Sequence, residues 1–261
     1  MAKKANKYRL LADNRTMWAA WARVASGSRA PGVDGMTSDR YAAHLDRHLS
    51  ELQAHLANGT YCPQPLKPMT VTRHGKQRHL GLSTVRDRIA QRCFLEVYAR
   101  ELDAANAESS FAYRKGRSWL DALARVERYR DAGLRTVFRG DIAEFFDRID
   151  HEVLRQALTD LLSDDRAVAL AMSWMTAPVL GRNGMEPRTR GVPLGAPVSP
   201  ALANLYLTGF DREINSRRSG GVRYADDLVV CCVDAASAEA ARFDVEQSLR
   251  PLHLEIGRAH V

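Results

Sequence analysis

VRYADDLVVCCV, residues 222–233, sets two adjacent carboxylates, Asp226 and Asp227, inside a run of strand-forming residues. A short apolar run of this kind reads as a strand or a tight hairpin, and Ala-Asp-Asp is where such a run turns. Two like charges side by side repel, and one is pushed toward neutrality unless a cation sits beside them. Two readings stay open at this point. Aspartate caps the local backbone in turns, or the pair holds a metal ion.

A second anchor lies upstream. RTVFRGDI, residues 135–142, reads as a strand from Thr136 to Ile142 that ends on Asp141 and is followed by the aromatic pair Phe145-Phe146. A lone aspartate at a strand end can equally cap the helix that follows. If the two strands are sheet neighbours, three carboxylates converge. Mg²⁺ prefers oxygen ligands and is commonly held by a few carboxylates plus substrate phosphates. Two such ions about 4 Å apart can activate a 3′-hydroxyl and neutralise a leaving pyrophosphate. That chemistry is phosphoryl transfer by positioning and charge stabilisation.

The composition is compatible with such a substrate. The 261 residues are 45% hydrophobic and 26% charged, an ordinary globular balance. The formal net charge is +7, and residues 61–130 alone hold 14 Lys/Arg against 7 Asp/Glu, a local excess of the same size. A localised basic surface suits a polyanion such as nucleic acid, or is a solvated basic face without a partner. No run of about 18 apolar residues is present to span a membrane. The N-terminal MAKKANKYRL is basic but lacks the apolar core of a secretory signal. Cys62, Cys93, Cys231 and Cys232 show no C-x-x-C spacing, so neither a disulfide framework nor a zinc site is expected, and a reducing cytoplasm fits.

Along the chain, helical spacing predicts helices over 7–26, 41–59, 84–104, 150–162, 202–214 and 237–252. The Gly/Pro/Asp-rich stretch 26–41 reads as a loop that ends in a helix cap at Thr37 or Ser38. PMTVTRHGKQRHLGL, residues 68–82, reads as a β-hairpin turning at His74-Gly75. This order predicts an α+β layer with a small antiparallel sheet.

RGDIAEFFDRIDH, RGVPLGAPVSPALANLYL and VRYADDLVV, in that order and spacing, resemble the palm motifs of a reverse transcriptase. APGVDGMT, GTYCPQP, GKQRHLGLSTVRDRIAQR and SSFAYRKGRSWLDAL resemble the fingers motifs of the same family, in its bacterial group II intron lineage. The resemblance covers nearly the whole chain and extends weakly to the branch associated with CRISPR adaptation. It implies a right-hand polymerase with an N-terminal extension and fingers over 1–135. A palm over 136–255 follows, an antiparallel sheet backed by helices, with 180–205 at the fingers–palm junction. It implies two Mg²⁺ ions, with Mn²⁺ as a substitute, an RNA template, a DNA or RNA primer and dNTPs. The setting implied is the prokaryotic cytoplasm, without a membrane, with intron RNA or a CRISPR adaptation integrase as further partners.

Residue by residue, the resemblance makes Asp141 and Asp226 the two metal-binding acids, with the Ile142 carbonyl beside them. Asp227 becomes the second acid of the catalytic hairpin. Phe146, five residues after Asp141, becomes the bulky gate under the incoming sugar, where a ring would clash with a 2′-hydroxyl. Arg73, Lys76 and Arg78 lie on the hairpin that covers the triphosphate in the family, with Arg78 foremost. Leu194 and Gly195 belong to the same nucleotide site, glycine allowing close backbone approach. The family carries a glutamine where this chain has Leu194, which puts nucleotide affinity or fidelity in doubt but removes no metal ligand. Arg86, Arg88, Arg114, Lys115, Arg117, Ser199 and Pro200 are implied as template or primer contacts, sequence-independent and salt-sensitive.

In the family a Lys motif, a primer grip and a helical thumb follow, and this chain stops at LRPLHLEIGRAHV. The ending EIGRAHV reads like an in-frame translation of a sequencing adapter. Residues 256–261 are therefore expected to be a non-native tail on a longer natural protein, and the thumb to be missing. Two other functions stay open. One is a non-catalytic, maturase-like RNA-binding relative, against which the three acids argue, or an inactive fragment, since a palm without a thumb grips primer and template poorly. The other is an RNA-templated RNA polymerase, against which Phe146 argues.

Overall fold

The computed structural model describes residues 7–73, 76–218 and 220–261, without the side chains of Arg73 and Lys76. The turn expected at His74-Gly75 lies outside the described residues. The chain divides into two compact units, Met1–Glu101 with Leu158–Ser199, and Leu102–Ala157 with Pro200–Val261.

In the first unit the helix expected over 7–26 is two pieces. A 3₁₀ helix spans Lys7–Ala12 and α1 spans Asn14–Ala25. The break falls at Asp13, whose carboxylate accepts the Arg15 amide and so starts a new helix. Thr37 caps α2 (Ser38–Ala42) as expected, and α3 (Leu45–Asn58) ends on Gly59 at φ 70°. Strands β1 (Lys67–Arg73) and β2 (Lys76–Leu82) pair antiparallel, and α4 (Val85–Ala105) follows.

This unit rests on a buried polar network. The Tyr61 hydroxyl donates to Asp87 Oδ1 at 2.7 Å and accepts from Trp174 Nε1 at 2.9 Å. Asp87 is 1% exposed, and burial raises its carboxyl pKa above the ordinary range. A folded pKa above the unfolded one adds stability at acid pH that is lost as pH rises through the folded value. Tyr61→Phe removes a donor that holds the carboxylate and orphans the indole N–H. We expect it to cost about 1–3 kcal/mol at pH 7 and less as pH falls and Asp87 protonates. Urea unfolding at pH 7 and at about pH 3, below the ordinary carboxylate range, checks this; an equal cost at both would contradict it.

The second unit begins with α5 (Trp119–Asp131), a helix that starts inside SSFAYRKGRSWLDAL and is not among those expected from helical spacing. Ser118 and Asp121 close a capping box at its start. Strand β3 (Thr136–Ile142) has the expected bounds. It leads into α6 (Phe145–Arg148) and α7 (His151–Leu162), the latter capped by Asp150, which accepts the Glu152 amide at 2.8 Å. Asp141 caps neither helix.

Three further elements belong to the first unit and were not expected. Helix α8 (Asp165–Met175) buries most of its surface and leaves one narrow stripe, Arg166, Ala169 and Ser173, open or half-buried. Strands β4 (Val179–Gly181) and β5 (Gly184–Glu186) form a small hairpin whose signal is Asn183-Gly184.

The single helix expected over 202–214 is two, α9 (Ser199–Tyr206) and α10 (Thr208–Arg217). The Thr208 hydroxyl donates to the Asn204 carbonyl at 3.3 Å at this break. Then come β6 (Gly221–Tyr224), β7 (Asp227–Cys232), α11 (Ala235–Leu249) and a 3₁₀ turn at Arg250–Leu252. The expected tail supplies β8 (Ile256–His260).

The sheet of this unit has the order β6-β7-β3-β8, antiparallel throughout. Helices α5, α10 and α11 pack against its strands. Along β3, Phe138, Gly140 and Ile142 are buried while Val137 and Arg139 are exposed. The period of two gives β3 one covered and one open face; toward β6 that second face is covered by α5, where Val222 packs with Phe111 and Ala122.

Candidate active site

The register places the acids. Asp141 pairs directly with Asp227, Gly140 with Leu228 and Phe138 with Val230. Directly paired residues share a face, so Asp141 and Asp227 stand side by side on the open one, next to Arg139. The Ile142 amide donates to the Asp226 carbonyl at 3.0 Å, so Asp226 and Ile142 meet at the same end of the two strands. Ala225 turns the hairpin with φ 60°, a left-handed value that costs a side-chain-bearing residue energy.

The four groups lie at one end of one strand pair, but their side chains do not form a ligand cage. Among the described residues no group of three or more His, Cys, Asp or Glu is arranged to hold a metal ion. Asp141 and Asp227 have each taken another neighbour. Asp141 Oδ1 accepts the Arg258 amide of β8 at 2.5 Å, and Asp227 Oδ1 lies 3.7 Å from Arg139 Nη2. The donor chemistry still fits a hard divalent cation, being carboxylate and carbonyl oxygens on adjoining backbone. Like charges directly opposed across a strand pair are unfavourable without a cation.

Phe146 is half-buried just beyond Asp141, edge-on to Phe145 and to Tyr113, with ring centroids 5.6 and 6.4 Å apart. Tyr113 is 56% exposed at φ 60°. It lies in SSFAYRKGRSWLDAL but is not among the site residues that the resemblance implies.

In the same unit Arg114 is spent internally, on Asp103 Oδ1 at 2.8 Å and on the Ala107 and Ser110 carbonyls at 2.9 Å each. Arg117 binds the Glu108 carboxylate at 2.7 Å and covers the Phe111 ring, while Lys115 is exposed. Pro200 is half-buried in the first turn of α9.

The remaining residues belong to the first unit. Arg78 is exposed on β2, and the side chains of Arg73 and Lys76 lie outside the described residues. The Leu194 carbonyl accepts the Gly81 amide of β2 at 3.0 Å, which joins the Leu194-Gly195 loop to the basic hairpin. Gly195 is exposed at φ 101°, where a side chain would be strained. Buried Ser199 donates to the Pro193 carbonyl at 2.8 Å. Arg86 lies over the Tyr61 ring. Arg88 donates to the Ser28 and Ala30 carbonyls at 2.7 and 2.8 Å, fixing the Gly/Pro-rich loop. Gly195 also lines a cavity with Arg23, Arg88 and Arg92. Burial lowers the pKa of Arg88 and of Arg92. Arg23 and Arg92 were not singled out in sequence, because each reads as an ordinary charge on a helix.

Residues 66–259 match the family described as reverse transcriptase (RNA-dependent DNA polymerase). The chain belongs to this family. Among curated relatives, protein YkfC of Escherichia coli is 31% identical over 75% of this chain and 52% of its own length. The group II intron-encoded protein LtrA of Lactococcus lactis is 27% identical over 78% of this chain and 34% of its own length. This chain therefore spans about half of one and a third of the other.

Solved structures share the fold. A partial Cas6-RT-Cas1–Cas2 complex aligns with TM-score 0.54 and 22% identity over 92% of this chain and 42% of that one. Telomerase from Candida albicans, in complex with a fragment of telomeric RNA, aligns with TM-score 0.59 and 13% identity over 84% of this chain and 44% of that one. The α+β architecture is thus that of reverse transcriptase fingers and palm. No helix among the described residues is long and apolar enough to cross a membrane.

Proposed function

We propose that this chain is the fingers and palm of an RNA-directed DNA polymerase that extends a primer 3′-hydroxyl with dNTPs on an RNA template. The reading rests on one observation above all. In a reverse transcriptase sequence, Asp141 and Asp227 are paired across β3 and β7, with Asp226 and the Ile142 carbonyl at the same strand ends. Asp141, Asp226 and the Ile142 carbonyl would hold Mg²⁺, with Asp227 beside them. Bound there, divalent cations supply charge neutralisation for the triphosphate and acidify the primer hydroxyl.

The chain's own groups do the rest. The Phe146 ring excludes a 2′-hydroxyl. Arg78, with Arg73 and Lys76 on the same hairpin, pairs with the triphosphate, and Leu194-Gly195 approaches the nucleotide through backbone. Lys115, Arg117 and Arg86 contact template or primer phosphates, with Ser199 and Pro200 shaping α9 beneath. Arg88 and Arg114, first read as phosphate contacts, hold loops in place.

The similarity to LtrA and to the Cas6-RT-Cas1–Cas2 complex supports a prokaryotic retroelement or CRISPR adaptation setting, with intron RNA or an adaptation integrase as partner. Four free cysteines suit a reducing cytoplasm.

The test is primer extension on an RNA template with Mg²⁺, with and without chelator. Template-dependent incorporation that EDTA abolishes supports the reading. RNA binding without incorporation would replace it with the RNA-binding relative, a reading that the carboxylates' separate partners favour. Phe146→Val is expected to lower discrimination against ribonucleotides about 10- to 100-fold in kcat/KM ratio, with dNTP use retained. Unchanged discrimination would remove Phe146 from the sugar gate.

A further inference from the structure

Arg223, one residue before Tyr224 in the catalytic hairpin, is 2% exposed, and so is its partner Asp211 on α10. Arginine has five N–H donors in a fixed planar fork. Arg223 uses all five. Nε and Nη2 grip Asp211 Oδ1 and Oδ2 at 2.7 Å each. The other Nη2 hydrogen goes to Ser110 Oγ at 2.9 Å. Nη1 donates to Asn204 Oδ1 at 3.1 Å and to the Ala225 carbonyl at 2.9 Å. The Arg223 backbone is held as well, its amide donating to the Ser109 carbonyl at 2.8 Å and its carbonyl accepting from the Phe111 amide at 3.0 Å.

The Ala225 carbonyl belongs to the peptide that joins Ala225 to Asp226. A guanidinium fixed by four other hydrogen bonds therefore sets the plane of the peptide from which the Asp226 carboxylate projects. It does so where Ala225 sits at φ 60°, a conformation that persists only when its surroundings impose it.

We propose that Arg223, locked by Asp211, Asn204 and Ser110, is a positioning residue that aims Asp226 at the metal. Lysine cannot replace it, because an ammonium lacks the planar fork that grips both carboxylate oxygens and the turn carbonyl together. The inference rests on the reading of Asp141 and Asp226 as metal ligands, and it goes beyond that reading by assigning the device that orients one of them.

The test is Mn²⁺ binding to the full chain, followed by the EPR signal of the free ion, for wild type, Asp141→Asn, Arg223→Lys and Asp211→Asn. Thermal unfolding is monitored in parallel. Wild type is expected to bind Mn²⁺ and Asp141→Asn to lose that binding. Arg223→Lys is expected to weaken it by about tenfold or more with unchanged stoichiometry at saturation, as loss of an orienting partner does. Asp211→Asn, which keeps one oxygen acceptor, weakens it less and carries the test if the lysine variant does not fold. A merely structural role would shift the unfolding midpoint and leave the Mn²⁺ affinity of the folded protein unchanged. Asp141-dependent binding that is unchanged in the folded variants overturns the positioning role alone. Absence of Asp141-dependent binding overturns the metal reading, and the positioning role with it.

Discussion

Asp141→Ala is expected to reduce Mg²⁺-dependent dNTP incorporation at least about 10³-fold. A bound divalent cation supplies several kcal/mol of transition-state stabilisation, and each 1.36 kcal/mol is tenfold in rate. The fold should survive. Asp141 is half-buried at the end of β3, and its partner across the ladder is another carboxylate, Asp227. Removing one of two directly opposed like charges relieves repulsion but also removes the acceptor of the Arg258 amide, so unfolding free energy should fall by no more than about 1.5 kcal/mol. Primer extension and urea unfolding on the same preparation separate the two effects. Incorporation that survives in the alanine variant would refute the catalytic assignment. Activity lost together with the fold would instead make Asp141 structural.

The second large effect is on stability. Asp211→Ala should destabilise the chain by about 3–5 kcal/mol, because it leaves the Arg223 guanidinium buried without its carboxylate. The cost is a desolvation penalty rather than the worth of a contact. Asn204, Ser110 and the Ala225 carbonyl remain as acceptors, but none carries a compensating charge. For a chain of this size the loss corresponds to a fall of about 10 °C in Tm. The paired change Arg223→Met with Asp211→Leu should recover part of it, since apolar residues of similar volume leave no buried charge. Thermal unfolding of the single and double variants checks both parts. A single-variant loss below about 1 kcal/mol would show that the Asp211 site admits water.

Much of the chemistry lay in local sequence. Asp226-Asp227 in a strand-forming run, and Asp141 at the end of another, carry the palm pattern because a strand's period of two and a hairpin's turn are local properties. Thr37 and Gly59 marked helix ends for the same reason, through capping by adjacent side chain or backbone. The interruptions at Asp13 and Leu207 accompany local side-chain bonds, the Asp13 cap and the Thr208 hydroxyl on the Asn204 carbonyl, but these compete with helical periodicity, and the pattern alone favours the longer helix.

Sequence by itself determined the family, the α+β class and the carboxylates that belong to the hairpin and the strand. Tertiary structure alone decided which carboxylates face one another, since Asp141 meets Asp227 only through the β3–β7 register. It alone separated arginines that hold the fold from one open to a ligand, because Arg88, Arg114 and Arg223 look in sequence like the exposed Arg78. A side chain's charge is written in its residue type. What it binds depends on desolvation and on acceptors brought from distant positions, such as Asp211 and Ser110 around Arg223, and only the folded chain assembles those.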